Sequence, residues 1–425
     1  MRGRDLGPAE AYASASAGLS AGSGWLLPIR SEAAALLQSR GFPARDEAWK
    51  YTRAGNLLQA VFVPAQEASD VALPDGPWGD EPRLVFVDGI PHPGLSRGVE
   101  GLQLEDLSTV SGGCPELGRA LGEGDGFSAL NRAFLRHGAV LRLPRGQQLS
   151  ALHLIHLCTG SRAPSGEGHL ETLRHVLVLE GDGQLQLFEH YLSADGVEHA
   201  SLTNAATEVI LGPDSHVRHV RILDEDLRSL HVGAIGAVVG AGSRYDLTSV
   251  VLGVGLARIE VTVHLGAKGS ATDLSGLSLL QGRQHVDHHV TVEHATPGGI
   301  SDQDFRSVLG DQSRSVYTGA VIVRRGAIGT RSSQLHRALL LSDDAIANTR
   351  PWLEIDNDDV SCTHGAAIGS LDEDALFYLR QRGLSELAAR GLLTSGFASQ
   401  ILSRLSPEAV AQHLLQRARA WLGAS

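Results

Sequence analysis

Several residue types are scarce in this chain, and each scarcity excludes something. Cysteine occurs only at Cys114, Cys158 and Cys362, far apart, so neither a disulfide framework nor a paired-thiol CxxC metal site is written here. Lysine occurs only at Lys50 and Lys268. A P-loop needs glycine followed by lysine and Ser or Thr, yet Trp49 precedes one lysine and Ala267 the other. The chain therefore binds no ATP in that way. Positive charge is short overall, 36 Lys+Arg against 48 Asp+Glu for a formal −12, which disfavours a nucleic-acid partner held through its phosphates. No apolar run approaches the roughly 18 residues of a membrane span. The nearest, Gly233 to Gly242, is a short Gly/Ala/Val tract. With no apolar leader at the N-terminus, the expected location is cytoplasmic.

Glycine is in excess, with 50 copies, and at that density without a collagen period it marks many tight turns between short strands. Residues 1–24, rich in Ala, Ser and Gly, read as a flexible tail. Residues 25–140 read as a mixed and partly helical region. There Ser31 is placed to cap a helix closed by Gly41, a strand is predicted at Arg83 to Val87, and a helix around Phe127 to Arg136. From 141 to 370 the chain reads as short β segments separated by Gly, Pro, Asp and Ser, without crossover helices. A strand coil, a sandwich and a jelly roll all fit. Hairpin signals are scarce, Asp195-Gly196 being the one good example, and this leans toward a coil whose rungs bury their apolar faces by stacking. Residues 371–425 read as helical, with Val410, Leu414, Ala418 and Trp421 forming a stripe that either packs on the β region or docks a partner.

Two constellations carry candidate chemistry. In a strand, His285, Asp287 and His289 share one face; they either chelate a divalent metal or are hydrogen-bonded polar residues of a half-exposed strand. Cys362 and His364 also point the same way if extended. A thiol and an imidazole make half a site for a soft or borderline metal, so the remaining ligands must come from elsewhere or from another chain. The alternative is a buried cysteine beside a hydrogen-bonded histidine.

The stretch Asp358-Asp359-Val360-Ser361-Cys362-Thr363-His364-Gly365-Ala366, followed by Leu376-Phe377-Tyr378-Leu379 and Arg382-Gly383, resembles the signature of the SufB/SufD family of iron–sulfur cluster assembly proteins. Arg45-Asp46-Glu47-Ala48-Trp49-Lys50-Tyr51-Thr52 resembles the N-terminal motif of the SufD branch. Phe188-Glu189-His190-Tyr191, Leu202-Thr203-Asn204, Gln284-His285-Val286-Asp287, Leu339-Leu340-Leu341-Ser342 and Leu353-Glu354-Ile355 follow in family order. SufB-like chains carry His-Glu-Ala where this one has His364-Gly365-Ala366, and a cysteine where this one has Leu379. Both differences point to the SufD branch.

The resemblance implies a mainly β fold, a right-handed parallel β-helix core with helical N- and C-terminal regions. It implies a scaffold subunit rather than an enzyme. Such a subunit pairs with a SufB-like paralogue through the β-helix and docks a SufC-like ATPase through its C-terminal helices, here Leu376, Phe377, Leu379 and Phe397. It shares a transient iron–sulfur cluster at the partner interface, with His364 as the metal-binding candidate and Cys362 as the second. The resemblance leaves open a flavin in the complex and a homodimer of the isolated chain. It also turns the reading of His285, Asp287 and His289 from ligands to structural residues. Two competing readings are a polysaccharide-acting β-helix hydrolase or lyase, and a SufB-like homodimeric scaffold.

Overall fold

The computed structural model describes residues 6–19, 24–43, 46–52, 55, 62–99, 102–160, 168–197, 199–406 and 408–421. From Ala139 to Gly369 successive strands alternate between two sheets, and each pairs in parallel with the strand one coil earlier and one coil later. In one sheet Leu230 lies beside Leu256, Leu256 beside His285, His285 beside Arg314, and Arg314 beside Ile346. The result is a parallel β-solenoid of about 7 turns, flanked by helices at both ends of the chain. The predicted strand coil is the fold.

The glycine-rich corners explain why hairpin signals are scarce. At one corner the chain passes through left-handed Asp214, Gly242 and Gly269, a conformation that costs glycine nothing and Asp little. A buried serine follows each of them: Ser215, Ser243 and Ser270. Ser243 Oγ accepts from the Ser215 N–H at 3.0 Å and donates to the Gly212 carbonyl at 2.7 Å, so the corners are stitched rung to rung. Asp195-Gly196 does not close a hairpin. It joins Gln184–Ser193 to Ser201–Leu211, which belong to different sheets.

Inside the coil the period-two alternation holds: Val286, Val290 and Val292 of His285–His294 enter one core with Ile259, Val261, Leu274 and Leu309. On the outer face of one sheet sit helices α1 (Leu6–Ala17), α2 (Leu26–Arg40) and α3 (Gly126–Ala133), meeting Leu170, Leu202 and Val232. On the outer face of the other lie α4 (Glu373–Gln381), α5 (Glu386–Leu402) and α6 (Glu408–Trp421). There Ala398, Ile401, Val410, Leu414 and Ala418 cover Val220, Val250, Leu277 and Val308. The C-terminal stripe is thus packing on the β region.

Two expectations at the N-terminus are corrected. The segment 1–24 is not simply a tail, because α1 occupies half of it. Tyr12 is buried between Phe42 and Phe134, edge-on at 5.9 and 6.0 Å, and its hydroxyl accepts from the Phe62 N–H. An alanine-rich composition that reads as disorder is equally the best helix former once one aromatic anchors it. Ser31 caps nothing, since α2 already begins at Leu26 and closes at Gly41 with φ +66°. The predicted Arg83–Val87 strand and the helix after Asp125 are both present; the Asp125 carboxylate accepts from the Phe127 and Ser128 amides.

Candidate functional site

The solenoid ends open. Ile346–Ile355 closes one sheet and Val360–Gly369 the other, and each pairs on one side only, with Arg314–Val323 and Thr330–Leu340 respectively. Neither terminal strand has a fully buried residue. Trp352 is 58% exposed, and Ile346, Ile355 and Ile368 are exposed as well. A bare, apolar pair of ten-residue edges is a template for another chain.

Cys362 and His364 lie on this last strand. Their register partners are Ser332 and Gln334, both buried on the inward face, so the thiol and the imidazole face the solenoid interior where it opens. Cys362 packs beside Val321, Val323, Ala327, Leu353 and Val360. Burial pushes its thiol up, which keeps it protonated in the isolated chain. His364 is exposed. Beneath it neither polar atom of the Gln334 amide has a hydrogen-bond partner. One rung deeper Gln303 accepts from the Tyr317 hydroxyl at 2.7 Å. Gln303, Gln334 and His364 form a polar column that reaches the open end, with Gln303 Nε2 and both Gln334 amide atoms left without a partner. Cys362 and His364 together offer two donor atoms, fewer than a closed metal site needs.

The structure brings the other predicted group together for a different purpose. Asp287 is 2% exposed on the outer face, where Arg258 Nη1 donates to it at 2.7 Å and the Thr52 hydroxyl at 2.7 Å. Thr52 also meets His285 at 2.8 Å, and Arg258 meets His289 Nδ1 at 2.9 Å. The Arg258 guanidinium stacks 4.2 Å from the Trp49 ring and donates to the Ala48 carbonyl, while Trp49 Nε1 donates to Asp125. With its carboxylate engaged by Arg258, the His285–Asp287–His289 face is an anchor for the segment 46–52 and not a chelate. Two motifs distant in sequence prove to be one contact.

Of the four residues expected to dock an ATPase, Phe377 is 64% exposed, Leu379 is half-buried, and Leu376 is buried. Phe397 packs into the helix–sheet core, with Arg306 5.3 Å from its ring. Tyr378, Leu387 and Leu392 are exposed on the same helices; sequence reasoning missed all three. Leu392 could have been found, because Leu393 beside it packs inward and two adjacent leucines on a helix cannot share a face. Trp352 and the bare Gln334 amide carried no signal, since both depend on where the solenoid stops.

Residues 162–397 match the family model described as SUF system FeS cluster assembly, SufBD core domain. The chain is 32% identical over 406 residues to an iron–sulfur cluster assembly SufBD family protein of Synechocystis, covering 89% of this chain and 87% of that one. It is 28% identical over 386 residues to the iron–sulfur cluster assembly protein SufD of Escherichia coli, covering 89% and 88%.

Proposed function

Because the chain belongs to the SufB/SufD family, in its SufD branch, and has a role in iron–sulfur cluster assembly, we propose that it is a non-catalytic scaffold subunit. It pairs with a SufB-like chain through the open end of the solenoid and docks a SufC-like ATPase through α4 and α5. The cluster is cargo, assembled where His364, with Cys362 as the second donor, meets ligands of the partner. The observation that carries this reading is the half-site itself, two donors at an unpaired strand edge. The four apolar side chains exposed on those helices, Phe377, Tyr378, Leu387 and Leu392, support the second contact. No helix among the described residues is long and apolar enough to cross a membrane.

Co-expression with SufB-like and SufC-like chains, then anaerobic reconstitution with iron and sulfide, tests the proposal. The wild-type complex is expected to carry a coloured cluster, and His364→Ala to lose most of it while still assembling. Equal cluster yield in the two complexes removes His364 from the site; no complex at all removes the scaffold reading.

A further inference from the structure

Among the described residues, two groups of three ligand-type side chains converge: His156, His175 and Glu189, and Asp88, His169 and Glu171. All six side chains are buried, but their hydrogen bonding differs. Glu189 is saturated, accepting from Tyr191, Thr207 and His219. His175 Nδ1 accepts from the Ala139 N–H at 2.9 Å, so its Nε2 carries the proton and has no lone pair to give. In that first triad the carboxylate is used up and His175 has no lone pair free, so His156, whose ring nitrogens have no partner, is its one available donor.

The second triad is open. Asp88 directly follows the strand Arg83–Val87, while His169 and Glu171 lie across the interior on Gly168–Leu179, in the first turns of the solenoid. His169 Nε2 stands 3.8 Å from Asp88 Oδ1 and 3.9 Å from Glu171 Oε1. Neither His169 Nε2 nor Glu171 Oε1 has a hydrogen-bond partner, and both side chains are 2% exposed. His169 Nε2 faces the two carboxylates. Asp88 is oriented by Ser69 Oγ at 2.6 Å and by the Thr159 amide and hydroxyl, both at 2.8 Å. That is the outer-shell support a ligating carboxylate has. Donors on a tetrahedral ion with 2.0–2.2 Å bonds stand roughly 3.4 Å apart; these three ligand atoms lie within 4.8 Å of one another, so an ion fits once they draw in around it.

We propose that Asp88, His169 and Glu171 bind a resident divalent transition ion of the Zn2+ or Fe2+ class, at the end of the solenoid away from Cys362 and His364. One nitrogen and two carboxylate oxygens suit a borderline ion. The buried site is expected to load as the chain folds.

The test uses the full chain purified without chelator, read by elemental analysis, then stripped and titrated with Zn2+ and with Co2+ as a visible probe. One ion per chain is expected, with a Co2+ absorption band and a melting temperature raised by Zn2+. Glu171→Gln, nearly isosteric, is expected to lose the ion, the band and the shift, and His169→Asn likewise. Cys362→Ser combined with His364→Ala is expected to keep all three. The proposal is overturned if the wild type takes up neither ion, if binding is lost only in the Cys362/His364 variant, or if Glu171→Gln retains it. If Glu171→Gln melts above the wild type and wild-type melting ignores chelator, Glu171 is a neutral buried acid and the site is none. The readouts need no partner chain, so they stand or fall apart from the scaffold reading.

Discussion

Arg258 is 1% exposed, and its partners Ala48, Asp287 and His289 belong to motifs visible in the sequence. Its two ion pairs, to Asp287 at 2.7 Å and Glu260 at 2.8 Å, hold its own charge firmly, and the Trp49 ring covers it. Removing one partner of a buried pair leaves the other charge without compensation. Arg258→Met is therefore expected to cost about 3–5 kcal/mol in urea unfolding and to release the segment 46–52 to proteolysis. A loss below about 1 kcal/mol would show that the contact behaves as a surface pair. The sequence contained both halves of this contact, His285 with Asp287 and Trp49 with Thr52. It could not join them, because Arg258 stands between them only after the chain has coiled. Residue types alone allowed a metal at His285, Asp287 and His289, and only the cation beside Asp287 excludes it.

At the scale of elements, the terminal strands and the C-terminal helices hold most of the large apolar side chains exposed among the described residues. The proposed function assigns them different partners. Trp352→Asp, on the bare strand Ile346–Ile355, is expected to weaken capture of the SufB-like chain at least about tenfold while leaving ATPase capture alone. Leu392→Asp with Phe377→Asp should do the reverse. Pull-downs from the same co-expression read both, and loss of both partners in either variant would mean that the surfaces are not separate. Helix boundaries here were legible: Asp372 caps α4, Ser385 caps α5, and Gly383 takes φ +93° between them. Which helical face meets the sheet was not. The Val410–Leu414–Ala418 stripe was equally suited to a partner, and the intact outer surface of the second sheet claimed it first.

At the scale of the molecule, the solenoid interior is buried but not wholly apolar. Burial lowers His288 to about 3, and His175, His294 and His336 to about 4, all from an ordinary 6.5. A depressed histidine contributes no penalty above 6.5. As pH falls below 6.5 the unfolded chain takes up protons that the folded chain refuses, so stability is lost down to the folded value. Unfolding free energy is expected to drop steeply between pH 6.5 and 4. His336→Phe, which keeps the stack on Tyr317 at 5.1 Å, is expected to recover on the order of 3 kcal/mol of that drop at pH 4. Denaturant melts at several pH values check it, and an unchanged slope would show that His336 protonates freely in the folded chain.

Local chemistry is enough to determine a good deal of this protein. Period-two alternation, glycine-rich corners and missing crossover helices narrow the fold to a coil, a sandwich or a jelly roll, and scarce hairpin signals favour stacked rungs, each burying its apolar face on the next. The ordered motifs specify the family. What only the tertiary structure decided is where each surface ends up. Tyr12 turned an alanine-rich tail into a packed helix, and the stop of the coil at Gly369 left Cys362 and His364 at an open mouth. The parallel stacking of rungs carried Asp88 to within 3.8 Å of His169. Such placements depend on contacts between rungs far apart in the chain, and no local pattern of residues encodes a distance across a coil.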